Sequence, residues 1–185
     1  MTVTKFVDDE FLKERFEQGI NVIGNAQSLL QKNYGGIIDE RYTVRFNWPE
    51  LNKFTGNRLD SIVCSLPEHI PSSYQVDLLI SKNTKTRPNS NYQYVIPKQI
   101  IDDAQHLVDS TTDNKKPSNG FLLLYLLDKI GQEDVSIFGF DWKNTPSTTS
   151  KPNGKISTKQ NDHDFESERR IIIKMIRTNN WNLYR

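Results

Sequence analysis

"NVIGNAQSLL" (residues 21–30) decides how the chain is read. Two apolar residues, Val22 and Ile23, run into Gly24-Asn25, and a segment able to turn helical follows. This pattern is a strand handing over to a helix through one tight turn. Such turns often hold phosphates, yet the Gly-x-Gly-x-x-Gly fingerprint of dinucleotide sites is missing. In an open α/β sheet, ligands sit outside the carboxyl ends of the strands. Gly24 would there let a ligand approach the backbone closely, and Asn25 would offer both a donor and an acceptor. A plain turn is the alternative, because Gly and Asn favour turns anyway.

Outward from this turn, the pattern predicts a first helix from Asp8 or Asp9 to about Glu17, with Phe11, Leu12 and Phe16 as its buried stripe. A strand at 20–23 and a helix ending near Lys32 follow, then a loop at Tyr34-Gly35-Gly36. Segments 42–47, 60–65, 76–81 and 92–96 are rich in β-formers and read as strands. Pro97 opens a helix. "PSNGFLLLYLLDKIG" reads as a helix closed by Gly131, and "VSIFGF" (135–140) as a buried strand. Residues 143–162, rich in Thr, Ser, Asn, Lys and Pro, are expected to form a long flexible loop. "HDFESERRIIIKMIRT" is the last helix, and "WNLYR" adds an edge strand. Strands alternating with helices imply an α/β sandwich with a mostly parallel sheet. No repeat or second boundary is visible, so residues 1–185 are read as one domain.

Composition narrows the function. Lys and Arg total 24 against 23 Asp and Glu, which gives no electrostatic reason to expect nucleic-acid or anionic-membrane binding. Cys64 is the single cysteine, so an intrachain disulfide is impossible. The N-terminus carries early acidic charge and does not read as a secretory signal. "FLLLYLL" (121–127) is too short for a transmembrane segment. A soluble, cytoplasmic protein is expected.

Two further segments offer chemistry. Ser118, Asn119 and Gly120 open the helix before the apolar run, where free N–H groups and partial positive charge can hold a phosphate or carboxylate. Their alternative is simple capping. His163, with Glu168 in "HDFESE", lies just after the polar loop. Histidine is the usual general base near neutral pH, and Asp164, Glu166 and Glu168 would favour its protonated form. An exposed cap-region histidine is the alternative. His69, His106 and Cys64 suit structural roles, and no His or Cys spacing suits a metal.

Taken in order, these segments resemble the animal-type sialyltransferase family. The family's long motif, Val-Gly-Asn-Ser…Ile-Asp…Val-x-Arg-x-Asn, is matched by "VIGNAQSLLQKNYGGIIDERYTVRFN" (22–47). Its short motif is matched by "PSNGFLLLYLL…DVSIFGFDW" (117–142), and its final His-x-x-x-x-Glu by His163 and Glu168. The resemblance implies a single Rossmann-like, GT-A-like domain that uses CMP-sialic acid or a related CMP-sugar and a glycan acceptor. It implies that Asn25 and Asn47 contact the CMP part and that Ser118, Asn119 and Gly120 bind the donor. It further implies that His163 is the general base, that Glu168 and Arg45 support the site, and that no metal is needed; Arg45 falls on the same strand face as Asn47 and a structural role is its alternative.

Departures accompany the match. The disulfide joining the family's long and short motifs cannot form, and Asn119 stands where the family has threonine. The loop 144–162 has no histidine, so the second family histidine, which would help hold the phosphate, is missing. Without an anchor, a bacterial or viral-host cytoplasmic protein is expected rather than a Golgi enzyme. A non-catalytic nucleotide- or glycan-binding module on the same fold is the alternative.

Overall fold

The computed structural model describes residues 4–86, 90–109, 115–145, 147 and 163–185. Its elements run β1 (Lys5–Val7), α1 (Asp9–Phe16), β2 (Ile20–Ile23), α2 (Gly35–Asp39), β3 (Tyr42–Phe46), β4 (Ser61–Val63), β5 (Val76–Ser81) and β6 (Ser90–Val95). They continue with α3 (Lys98–Asp109), α4 (Asn119–Lys129), β7 (Val135–Phe138), α5 (Phe165–Thr178) and β8 (Asn182–Tyr184). All eight strands form one sheet in the order β1-β6-β5-β4-β3-β2-β7-β8. Every pairing is parallel, β8 included.

Both faces of the sheet are covered, as a parallel sheet requires. Alternate residues of each strand therefore enter different clusters. Val22 and Ile137 pack with α4 and α5 in the main core, whereas Ile23 and Phe138 pack with Leu29 and Ile38 on the other face. Helix α4 is apolar all round, and Phe121 to Leu127 are all buried. It is the central helix of the main layer, flanked by α3 and α5. Ser118 caps its start by accepting from the Phe121 N–H at 3.1 Å, and Gly131 at φ +75° follows its end.

Local details sharpen or change the pattern. The helix expected to end near Lys32 is a 3-10 helix over residues 27–31. The Ala26 N–H donates to the Gly139 carbonyl at 3.3 Å and the Ser28 N–H to Thr145 Oγ1 at 3.1 Å, so the stretch after β7 engages the segment's first amides. Tyr34-Gly35-Gly36 is not a loop, because α2 begins at Gly35. A Cβ at Gly35 would collide with the Lys53 carbonyl, so this glycine permits close packing. Buried Asn21 then satisfies α2 by donating to the carbonyls of Ile37 (3.2 Å) and Ile38 (3.0 Å). Strand β1 was not expected. It is three residues long and mostly exposed, too short to show an alternating pattern. The expected loop at 143–162 lies mostly outside the described residues.

Leu123 is fully buried in the main core. Leu123→Ala should therefore lower the unfolding free energy by about 2–5 kcal/mol, measured by urea denaturation.

Candidate functional site

The order of the sheet fixes where a site can form. From β2 the chain steps outward through β3, β4, β5 and β6, while β7 pairs on the other side of β2. The crevice at the carboxyl ends of β2 and β7 is the switch point of a doubly wound sheet. Here Gly24 and Gly139 meet backbone to backbone. The Gly24 N–H donates to the Phe138 carbonyl at 2.7 Å, and Gly139 turns at φ +66°. A Cβ on Gly24 would strike the Gly139 carbonyl oxygen and come within 2.8 Å of the Phe140 ring. The missing side chain at Gly24 thus also serves strand packing, since the turn after β7 fills the space that a Cβ would take.

A cavity of about 260 Å³ opens at this edge. All the sequence-expected binding residues line it, as do His163 and Glu168, but Arg45 does not. Asn25 donates from Nδ2 to the Phe46 carbonyl at 2.9 Å, joining the ends of β2 and β3. Asn47 lies just past β3 in the left-handed region, at φ +53°, where asparagine is better tolerated than most residues. The reversed backbone separates it from Arg45, which the strand pattern placed on the same face. Arg45 is 1 % exposed and donates to the carbonyls of Arg58 (2.8 Å) and Thr55 (2.7 Å). Burial lowers its guanidinium pKa to about 10, with Asp39 and Asp60 opposing the shift. It holds the 55–58 loop to the sheet.

Asn119 makes use of its departure from threonine. Its Nδ2 donates to Asn47 Oδ1 at 3.3 Å, and its Oδ1 accepts from Ser65 Oγ at 2.8 Å. One carboxamide thereby ties α4 to the ends of β3 and β4.

Ser118 binds Glu168 twice. Its N–H donates to Oε1 at 2.7 Å and its hydroxyl to Oε2 at 2.6 Å. Glu168 is 2 % exposed, and burial lifts its carboxyl to about 7 against the two Ser118 bonds. A protein acid thus already occupies the first donors of α4. The amides of Asn119 and Gly120 have no such partner among the described residues. Gly120 matters for packing too, since a Cβ there would lie 3.0 Å from the Phe140 ring.

His163 is half-buried, and its Nδ1 lies 2.6 Å from the Lys116 carbonyl. A carbonyl only accepts, so Nδ1 carries the proton and the basic lone pair belongs to Nε2. The surrounding acids have partners of their own. Asp164 caps α5 through the Ser167 N–H (3.1 Å) and hydroxyl (2.8 Å), and Glu166 faces Arg169 at 3.7 Å.

Sequence reading missed part of the wall. Ser65 and Lys82 follow β4 and β5, and Phe140 to Lys143 follow β7. The rings of Phe46, Phe140 and Trp142 form an edge-to-face series with centroids 5.9 and 6.1 Å apart. Trp142 and Lys143 both have positive φ, +58° and +65°, a strained turn at the cavity mouth. Asp141 pins it by accepting from Ser28 Oγ and the Thr145 N–H, both at 3.0 Å. The available signal was position: each of these residues directly follows a parallel strand. Cys64 is buried in a small apolar cluster and His106 is exposed on α3, in line with structural roles. Among the described residues, no group of three or more His, Cys, Asp or Glu converges to hold a metal. No described helix is long and apolar enough to cross a membrane.

Comparison with solved structures places the architecture. A mammalian sialyltransferase superposes with a TM-score of 0.61 over 89 % of this chain and 68 % of its own, at 17 % identity. The fold is that of the sialyltransferases. A Campylobacter jejuni sialyltransferase solved with the substrate analogue CMP-3FNeuAc gives 0.58 over 89 % and 80 % at 14 % identity. A monofunctional alpha-2,3-sialyltransferase from the same organism gives 0.55 over 89 % and 74 %, also at 14 %. No protein-family model and no curated protein sequence matches the chain.

The Glu168 carboxyl generates a stability test. Its folded value of about 7 lies above the ordinary 4.5, so the folded protein holds a proton that the unfolded chain releases in that window. Stability should then fall as pH rises from about 4.5 to 7, by on the order of 3 kcal/mol. Glu168→Gln should flatten this part of the profile in urea titrations at stepped pH. An unchanged slope would show that Glu168 is not its source.

Proposed function

We propose that the cavity binds a CMP-sugar, CMP-sialic acid or a relative, and transfers the sugar to a glycan hydroxyl with inversion. The observation that carries this reading is the meeting of Asn25, Asn47, the α4 start and His163 in one cavity, on a fold shared with sialyltransferases. Asn25 and Asn47 contact the CMP part. Asn119 and Gly120 offer first-turn amides to an anionic group of the donor, where the helix dipole favours negative charge. His163 Nε2 takes the acceptor proton while the acceptor oxygen attacks the anomeric carbon. The bond from that carbon to the phosphate oxygen breaks, and CMP leaves with the electron pair.

The Lys116 carbonyl fixes the imidazole in the basic tautomer this step needs. Glu168 is a positioning residue, because it holds Ser118 and so the α4 start. The aromatic series at Phe46, Phe140 and Trp142 supplies a face for stacking a ring of the donor. In this reading the reaction needs no metal, and activity should persist in EDTA. A cytoplasmic location and a single domain over 1–185 complete the proposal.

Incubation with CMP-sialic acid and glycan acceptors should release CMP. His163→Ala should cut transfer about 100- to 10,000-fold while CMP binding is kept. Asn25→Ala should weaken CMP binding by about 10-fold without a matching loss of stability, read by calorimetry and thermal melting. CMP binding without turnover in the wild type would instead favour a non-catalytic nucleotide-binding module. If the wild type neither binds nor consumes CMP-sialic acid, the reading fails.

A further inference from the structure

The cations of the cavity are not equivalent. Lys143 sits with its ammonium 5.7 Å from the Phe165 ring centroid and is influenced by Asp141. Lys82, directly after β5, lines the same cavity and has neither an ion pair nor a hydrogen bond among the described residues. Its surroundings are polar and ordered. Ser65 and Asn119 are hydrogen-bonded to one another nearby, and Glu168 is the acid it feels most. Both Glu168 oxygens, however, are bound by Ser118. Lys116 repels it. A half-buried ammonium in this state is only partly compensated, because Glu168 acts on it without a direct ion pair. Burial accordingly depresses its pKa, with Glu168 opposing and Lys116 adding to the effect.

Two features specify what would compensate it. The cavity wall around Lys82 includes Asn119 and Gly120, whose amides begin an 11-residue helix. The loop beyond β7, which should bring a histidine to the phosphate by family resemblance, contains none between residues 144 and 162. Among the described residues, the cavity therefore sets a lysine without an ion pair beside a helix start whose amides have no partner.

We propose that Lys82 is the donor-binding cation of this site, contacting an anionic group of the CMP-sugar, its phosphate or its carboxylate, together with the α4 start. The inference rests on the CMP-sugar reading above. Lys82 thereby supplies, from the residue just after β5, the charge that the resemblance would assign to a loop histidine.

Calorimetric titration of wild type, Lys82→Met and Lys82→Arg with cytidine, CMP and CMP-sialic acid tests this. Lys82→Met should bind CMP about 10–100-fold more weakly, the scale of a lost charged hydrogen bond, while cytidine binds as before and Lys82→Arg recovers most of the loss. That pattern assigns Lys82 to the phosphate. Loss confined to CMP-sialic acid, with CMP unchanged, assigns it to the carboxylate and equally supports the proposal. Unchanged binding of both anionic ligands overturns it and leaves the CMP-sugar reading standing. An equal loss for all three ligands, neutral cytidine included, overturns it in favour of a structural role. Wild-type protein that binds neither CMP nor CMP-sialic acid overturns both.

Discussion

The contact of Gly24 with Gly139 sets the geometry of everything around it. Strands β2 and β7 lie side by side, yet the chain leaves them in opposite directions. Two turns therefore diverge from one point, and here their backbones touch. The hydrogen bond from the Gly24 N–H to the Phe138 carbonyl closes the contact, and the positive φ of Gly139 carries the second chain away. Because no side chain intervenes, Asn25 falls within reach of the Phe46 carbonyl, and Phe140 reaches across to pack on Gly120. The Asn25 end of the cavity is thus a by-product of close strand packing.

The opposite wall depends on a different kind of force. Ser118 and Glu168 are 50 residues apart in sequence and joined by two short hydrogen bonds. A carboxyl so deeply buried tends to stay protonated, while the serine donors favour its ionised form. Its carboxyl near 7 results from that contest. The interaction registers α5 on α4 and so places His163, at the head of α5, over the Lys116 carbonyl.

Much of this was legible in the sequence, for identifiable reasons. The strand at 20–23, the helix after Pro117 and the helix after His163 carry strong local signals: an apolar run, a Ser cap, an apolar stripe. The cavity residues sit where strand ends and helix starts place ligands in any parallel sheet. What failed depended on distant partners. The packing of Gly24 on Gly139 was not visible, because Gly139 is remote in sequence. Arg45 and Asn47 were assigned one face because a left-handed residue breaks strand alternation without announcing itself. Lys82 and Ser65 went unnoticed because β4 and β5 end without a motif.

The all-parallel pairing also bears on how the chain is made. No two neighbouring strands are joined by a tight hairpin, so each pairing waits for an intervening crossover to form. Strand β1 can pair only after β6 emerges, since Lys5 lies opposite Tyr92. Strand β2 keeps one edge bare until β7 arrives, when Ile20 meets Val135. A ribosome releasing the chain from its N-terminus therefore exposes an apolar, unpaired central strand for most of synthesis. The segment that seals that edge runs on into Phe140 to Lys143 of the cavity wall, and α5 then adds Glu168, so sheet closure precedes site assembly in the order of synthesis.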